Sequence, residues 1–129
     1  MKFMLLVYTD ENAWTEPERA QCYQDSMGLA FDLKASGQFL STSPLHPVAT
    51  AKSVQVRAGK RTIVDGPFAE TREQLGGFFL VDVKDMDEAL AIAAKIPGVR
   101  KGTVEVRPVL ELQGLPEEMV TGEAKTVSK

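Results

Sequence analysis

The amino-acid sequence predicts one α+β domain built on an antiparallel sheet. Three observations carry that expectation. Two segments with helical start and stop signals, near residues 16–35 and 85–97, each stand between runs that read as strands. The strand-like runs at 2–8 and 78–83 are apolar on both faces, as strands covered on both sides are. The 129 residues, 43% hydrophobic and 26% charged, suit a single globular domain with no room for a second.

Residues 2–8 form the opening strand, with Phe3, Leu5 and Val7 pointing one way and Met4, Leu6 and Tyr8 the other. Thr15-Glu16-Pro17-Glu18 starts the first helix. Thr15 can cap, Glu18 can complete a capping box, and proline is tolerated in the first turn. Tyr23, Met27, Ala30 and Phe31 recur at helical spacing and are expected to face inward, with Leu29 and Leu33 widening the stripe. Gly37 fits the position just past the helix end.

Phe39–Leu45 is the second strand, stopped by Pro44 and Pro47. Ser53–Ala58 and Arg61–Val64 read as a hairpin closed at Gly59-Lys60, and Asp65-Gly66-Pro67-Phe68 as a turn. Gly76-Gly77 opens the strand Phe78–Val83, where a bulge or a close strand approach is expected. Asp85 can cap a second helix with Ala89, Ile92, Ala93 and Ile96 buried, ended by Pro97-Gly98. Thr103–Val109 is the last strand. Residues 1–112 thus form the domain, and 113–129, without aromatics or periodicity, are expected to be a loosely ordered tail. The order β-α-β-(β-hairpin)-β-α-β is that of a ferredoxin-like split β-α-β fold with an inserted β-hairpin. Its helices cover one sheet face, and the apolar opposite face predicts a homodimer.

Composition excludes several functions. Fifteen basic residues are scattered among eighteen acidic ones, for a net charge of −3, which provides no footprint for nucleic acid and no attraction to an anionic membrane. One cysteine, Cys22, cannot form an internal disulfide, and one histidine, His46, cannot anchor a zinc or iron site. No cofactor is expected. A carboxylate-only calcium or magnesium site stays open, but no ligand loop is visible. The apolar run at the N-terminus is too short for a signal peptide, and no segment approaches a membrane span, so a cytoplasmic location is expected.

Asp65-Gly66-Pro67-Phe68-Ala69-Glu70-Thr71-Arg72-Glu73, followed by Leu75-Gly76-Gly77-Phe78, resembles the signature of the D-G-P-F branch of YCII-related proteins. Met1–Tyr8, Asp87-Glu88-Ala89, Pro97 and the closing run Val104–Val109 match the same pattern, so the resemblance spans roughly residues 1–112. It implies a dimeric α+β barrel, and it hints at a regulatory setting beside extracytoplasmic-function sigma factors. It implies no settled activity. The catalytic pair proposed for YCII proteins proper, a histidine on the first helix and an aspartate after the second, is missing: residues 16–35 hold no histidine, and the second helix ends in Ile96-Pro97.

Candidate site residues follow from residue type. Asp65 is either a general acid/base at a cleft mouth or a residue that caps its own turn. His46, the side-chain type that titrates near neutrality, is its candidate catalytic partner or else exposed loop surface. Glu70 and Arg72 are candidate ligand contacts, as are Tyr8 and Arg107, expected to lie close on adjoining strands. Each has a structural alternative in surface ion pairs or strand-end packing. Two functions stand side by side: a module that binds or senses a small organic molecule, and a cofactor-free enzyme using acid/base chemistry.

Overall fold

The computed structural model describes residues 1–122. Four strands, β1 (Lys2–Thr9), β2 (Phe39–Pro44), β5 (Gln74–Asp82) and β6 (Gly102–Pro108), form an antiparallel sheet in the order β2-β5-β1-β6. Helices α1 (Glu16–Ala35) and α2 (Met86–Ala93) complete the split β-α-β arrangement, and β3 (Lys52–Arg57) with β4 (Lys60–Asp65) forms a separate hairpin. The fold class is the predicted one.

Register decides the faces. Phe3, Leu5 and Val7 stand opposite Val81, Phe79 and Gly77 on β5, and Leu5 and Val7 opposite Val106 and Val104 on β6. This is the helix side. Phe3, Leu5, Phe79, Val81, Ala89, Ile92, Ala93 and Ile96 are buried there in one core with Leu33. Met4, Leu6, Tyr8 and Phe78 look the other way and are only partly buried.

Helix α1 begins as expected. Thr15 Oγ1 accepts from the Glu18 N–H at 3.3 Å, and Glu18 Oε1 accepts from the Thr15 N–H at 2.9 Å. It ends at a left-handed Gly37, with the Gly37 and Gln38 amides donating to Lys34 O and Leu33 O at 3.1 and 2.9 Å. Its inward face differs from the sequence reading. Leu29, Ala30 and Leu33 pack on the sheet, whereas Tyr23, Met27 and Phe31 are exposed, Phe31 at 72%. Apolar residues run most of the way round this helix, so periodicity alone does not single out one face.

Backbone proximity explains the glycines. Val7 pairs with Gly77 but Tyr8 with Leu75, leaving Gly76 as a bulge. A Cβ on Gly77 would sit 2.9 Å from Ser43 O, so β2 and β5 approach as only glycine permits. The hairpin turns at Ala58-Gly59, both at positive φ, rather than at Gly59-Lys60.

The C-terminal segment departs from the expected loose tail. After β6, the Val109 N–H donates to Lys2 O, and a short helix α3 (Glu117–Thr121) follows. The nearly buried Lys2 Nζ lies 2.7 Å from Glu111 and 3.0 Å from Glu117, which raises its pKa. Residues 123–129, also assigned to that tail, lie outside the described residues. Among the described residues no helix is long and apolar enough to cross a membrane.

Candidate functional site

A cavity of about 360 Å³ opens between α1 and the helix side of the sheet, at the end where β1 finishes. Its floor is Val7, Gly77, Phe79 and Ile96, and its helical wall is Cys22, Tyr23, Ser26, Met27 and Ala30. The exposure of Tyr23 and Met27 now has a structural meaning, because they border this opening rather than the packed core. The lining is mostly apolar, with few polar groups, as small-molecule sites are.

Those polar groups cluster at the front. Glu11 and Trp14 come from the segment between β1 and α1, Arg19 from the first turns of α1, and His46 from the loop after β2. Glu11 Oε1 accepts from the Val48 N–H at 2.7 Å, tying the two loops together. Arg19 Nη2 donates to Glu11 O at 2.7 Å. The Trp14 Nε1–H is buried and has no acceptor among the described residues. Lys101 Nζ stands 5.5 Å from the centre of the Trp14 ring, 3.0 Å from Ala13 O and 2.6 Å from Glu18 Oε2. Burial pushes the Cys22 thiol pKa up, against a smaller opposing effect of its hydrogen bond with Ser26; this is a packed thiol rather than an activated one.

The Lys101 hydrogen bond, with help from Thr15, lowers the Glu18 pKa from 4.5 to about 2. Because the folded pKa is depressed, this contribution is complete above pH 4.5 and is lost as pH falls from there toward 2. Glu18→Gln keeps the capping geometry and removes the charge. The melting temperature of the variant should therefore fall less steeply than that of the parent between those two pH values, in parallel thermal melts. Identical slopes would place the Glu18–Lys101 pair outside the folding equilibrium.

Of the six residues singled out in the sequence, His46 lines the cavity and the other five do not. Asp65 ends β4, 84% exposed, with its carboxylate on Lys52 Nζ. The turn after it is held by Gly66 N–H to Ala51 O at 2.8 Å and Ser53 Oγ to Gly66 O at 2.9 Å, not by Asp65. No hydrogen bond joins it to His46 among the described residues. Tyr8 faces the opposite side of the sheet, in a shallow depression with Thr71, Glu73, Thr103 and Glu105. Arg107 shares that face but pairs with Met4, four residues along β1 from Tyr8, and its Nη1 lies 3.1 Å from Glu105. The expected closeness of Tyr8 and Arg107 is therefore not found, because register separates them. Glu70 is exposed, and Arg72 meets Asp10 at 3.6 Å. Glu11 and Arg19 carried no sequence signal, since the Glu11 partner is 37 residues away. Among the described residues no group of three or more His, Cys, Asp or Glu side chains is placed to hold a metal ion.

The YCII-related domain family model matches residues 1–113. The chain belongs to the YCII-related family. A curated relative, an uncharacterized protein of Rhizobium meliloti (strain 1021), is 34% identical over 114 residues, covering 84% of this chain and 92% of its own. Among solved structures, this YCII-related chain is similar to the 5-chloro-2-hydroxyhydroquinone dehydrochlorinase of Burkholderia phenoliruptrix AC1100. The TM-score is 0.53 at 13% identity, over 88% of this chain and 97% of that one. That likeness is one of fold.

Proposed function

We propose that this YCII-related protein is a cytoplasmic homodimer that binds or senses a small organic molecule in the cavity beneath α1. The ligand class is a compact, mostly apolar ring bearing a hydrogen-bond acceptor. One observation carries the reading: a largely apolar cavity with aromatic walls, lined in part by Trp14, whose buried Nε1–H meets no acceptor among the described residues. An unmet buried donor costs about 1–3 kcal/mol, part of which an acceptor on a ligand recovers. The fold neighbour was solved with 2,5-dihydroxybenzoquinone, a compact ring with carbonyl acceptors. The half-buried apolar residues of the sheet face away from the helices support the dimer.

The test is a thermal-shift screen against small hydroxylated, carboxylated and quinonoid rings. A ligand at a hundred times its Kd stabilises the fold by about 2.7 kcal/mol. Trp14→Phe should bind the best hit about tenfold or more weakly, while its own stability holds or rises because the unmet donor is gone. Unchanged affinity in Trp14→Phe would remove the indole from the site, and a screen without a hit would remove the ligand class.

A second reading, a cofactor-free acid/base enzyme, is favoured by His46 on the same cavity wall. In that reading His46 carries the proton, and the carboxylate on the same wall is Glu11. Conversion of a screened ligand by the parent but not by His46→Ala distinguishes catalysis from binding.

A further inference from the structure

The front of the cavity offers more hydrogen-bond donors than it uses. Arg19 is the only lysine or arginine in the lining, and Glu11 is the only carboxylate. The two are not an ion pair among the described residues. Arg19 Nη2 donates to the backbone Glu11 O at 2.7 Å, while Glu11 Oε1 is turned to the Val48 N–H at 2.7 Å. The carboxylate nearest to Arg19 is Glu16, 3.7 Å from Nη1, too far for a hydrogen bond. That side chain is 92% exposed, where such a pair contributes little. A guanidinium carries five N–H donors and a permanent charge. The Arg19 side chain, 33% exposed, thus keeps a charge that is met chiefly by a neutral carbonyl.

A second donor lies beside it. Trp14 precedes the cap residue Thr15, and the Arg19 backbone N–H donates to Thr15 O at 2.9 Å, so both side chains leave the same turn of backbone. The Trp14 Nε1–H is the buried donor without an acceptor among the described residues. The one hydroxyl near β5, Thr42 Oγ1, already donates to Phe78 O at 2.7 Å. Behind this front the lining is apolar, with Val7, Met27, Phe79 and Ile96 around it. An anion is stable in such surroundings only when it is paired and hydrogen-bonded. A carboxylate meets that condition, because its two oxygens take the N–H fork of an arginine.

We infer that the ligand is an aromatic carboxylate, with its ring in the apolar part of the cavity and its carboxylate on the Arg19 guanidinium, the Trp14 Nε1–H serving as a further donor. The inference rests on the cavity reading above and narrows its acceptor-bearing ring to an anionic one. Arg19 is then the residue that separates acids from neutral rings of the same shape.

The test compares benzoate with benzamide, and naphthoate with naphthamide, by calorimetric titration of the full chain at neutral pH. The parent is expected to bind the better carboxylate at least about tenfold more tightly than its amide. Arg19→Gln removes the charge and keeps a donor for Glu11 O. It is expected to weaken the carboxylate at least about tenfold and to leave the amide within about threefold. Arg19→Lys should recover part of the loss, since it restores the charge without the fork. Arg72→Gln, which alters a cation outside the cavity, should leave both affinities unchanged. Circular dichroism checks that each variant is folded, and the carboxylate-to-amide ratio of the parent needs no variant at all. Equal parent affinities for acid and amide, or equal losses for the two in Arg19→Gln, overturn the anionic ligand and leave the cavity reading standing. So does a parent that binds neutral phenols or quinones but no carboxylate. A larger loss in Arg72→Gln than in Arg19→Gln puts the carboxylate on the outer surface and overturns the inference. A parent that binds no ring, charged or neutral, overturns the cavity reading and the inference together.

Discussion

Replacing Ala30 with Phe is expected to abolish ligand-induced stabilisation while leaving the protein folded. Ala30 faces the sheet from α1, partly buried against the core, and lines the cavity. A phenyl group there points into open volume, so the usual 1–3 kcal/mol cost of overpacking a full core is largely avoided. The apolar ring occupies the space a ligand needs. The best hit of the thermal-shift screen should bind the variant at least about a hundredfold more weakly, a difference of about 2.7 kcal/mol. The melting temperature of the free variant should stay within a few degrees of the parent, roughly the effect of 1 kcal/mol for a domain of this size. Retained affinity would place the ligand elsewhere on the molecule. A collapse of the free fold would show that Ala30 is packed more tightly than the cavity allows, and Met27→Trp, on an exposed residue of the same wall, then repeats the block from the mouth.

Leu5→Ala and Leu6→Ala should differ sharply although the residues are neighbours. Leu5 is fully buried on the helix side, between Phe79 on β5 and Val106 on β6. Its truncation removes buried methyl groups from the centre of the core and should cost about 2–5 kcal/mol. For a chain of this length that is a fall of roughly 10–20 °C in melting temperature, independent of protein concentration. Leu6 points to the opposite face and is partly buried within one protomer. Its truncation should cost the isolated protomer clearly less and act instead on the dimer Kd. Melts at two concentrations, with sedimentation on the same samples, separate the effects. Equal losses in both variants would mean that the two sheet faces are buried within one protomer alike, against a dimer on the outer face.

Most of the fold was legible because its signals are local. The Thr15–Glu18 capping box, the Gly37 stop and the Asp85 cap are each written within a few residues, and the helix they predict at 16–35 is the one observed. Alternation along β1 placed Phe3, Leu5 and Val7 on one side and Met4, Leu6 and Tyr8 on the other, and both assignments hold because strand period is a property of the backbone. The Gly76-Gly77 pair was readable as a bulge and close approach for the same reason.

The candidate site was much less legible. A motif that stands out in sequence drew attention to Asp65, Glu70 and Arg72, yet the chain carries that stretch along the hairpin end and a surface loop, where Asp65 answers Lys52 and Arg72 answers Asp10. Tyr8 ends a strand near the cavity, but the alternation that buries Val7 turns Tyr8 to the far face. Of the six candidate residues only His46 lies on the cavity wall, because the loop after β2 closes one side of the cavity.

The sequence by itself determined the α+β class, the element order and the two-sided apolar strands, all of which depend on residue type and short-range period. Tertiary structure alone decided that Tyr23 and Met27 border a cavity instead of a core, that Trp14 is held under Lys101 with its N–H unmet among the described residues, and that Glu11 ties two loops together across 37 residues. The physical reason is common to all three. Each depends on how far α1 stands from the sheet and on which distant backbone group meets a side chain, and neither quantity is encoded in the spacing of neighbouring residues.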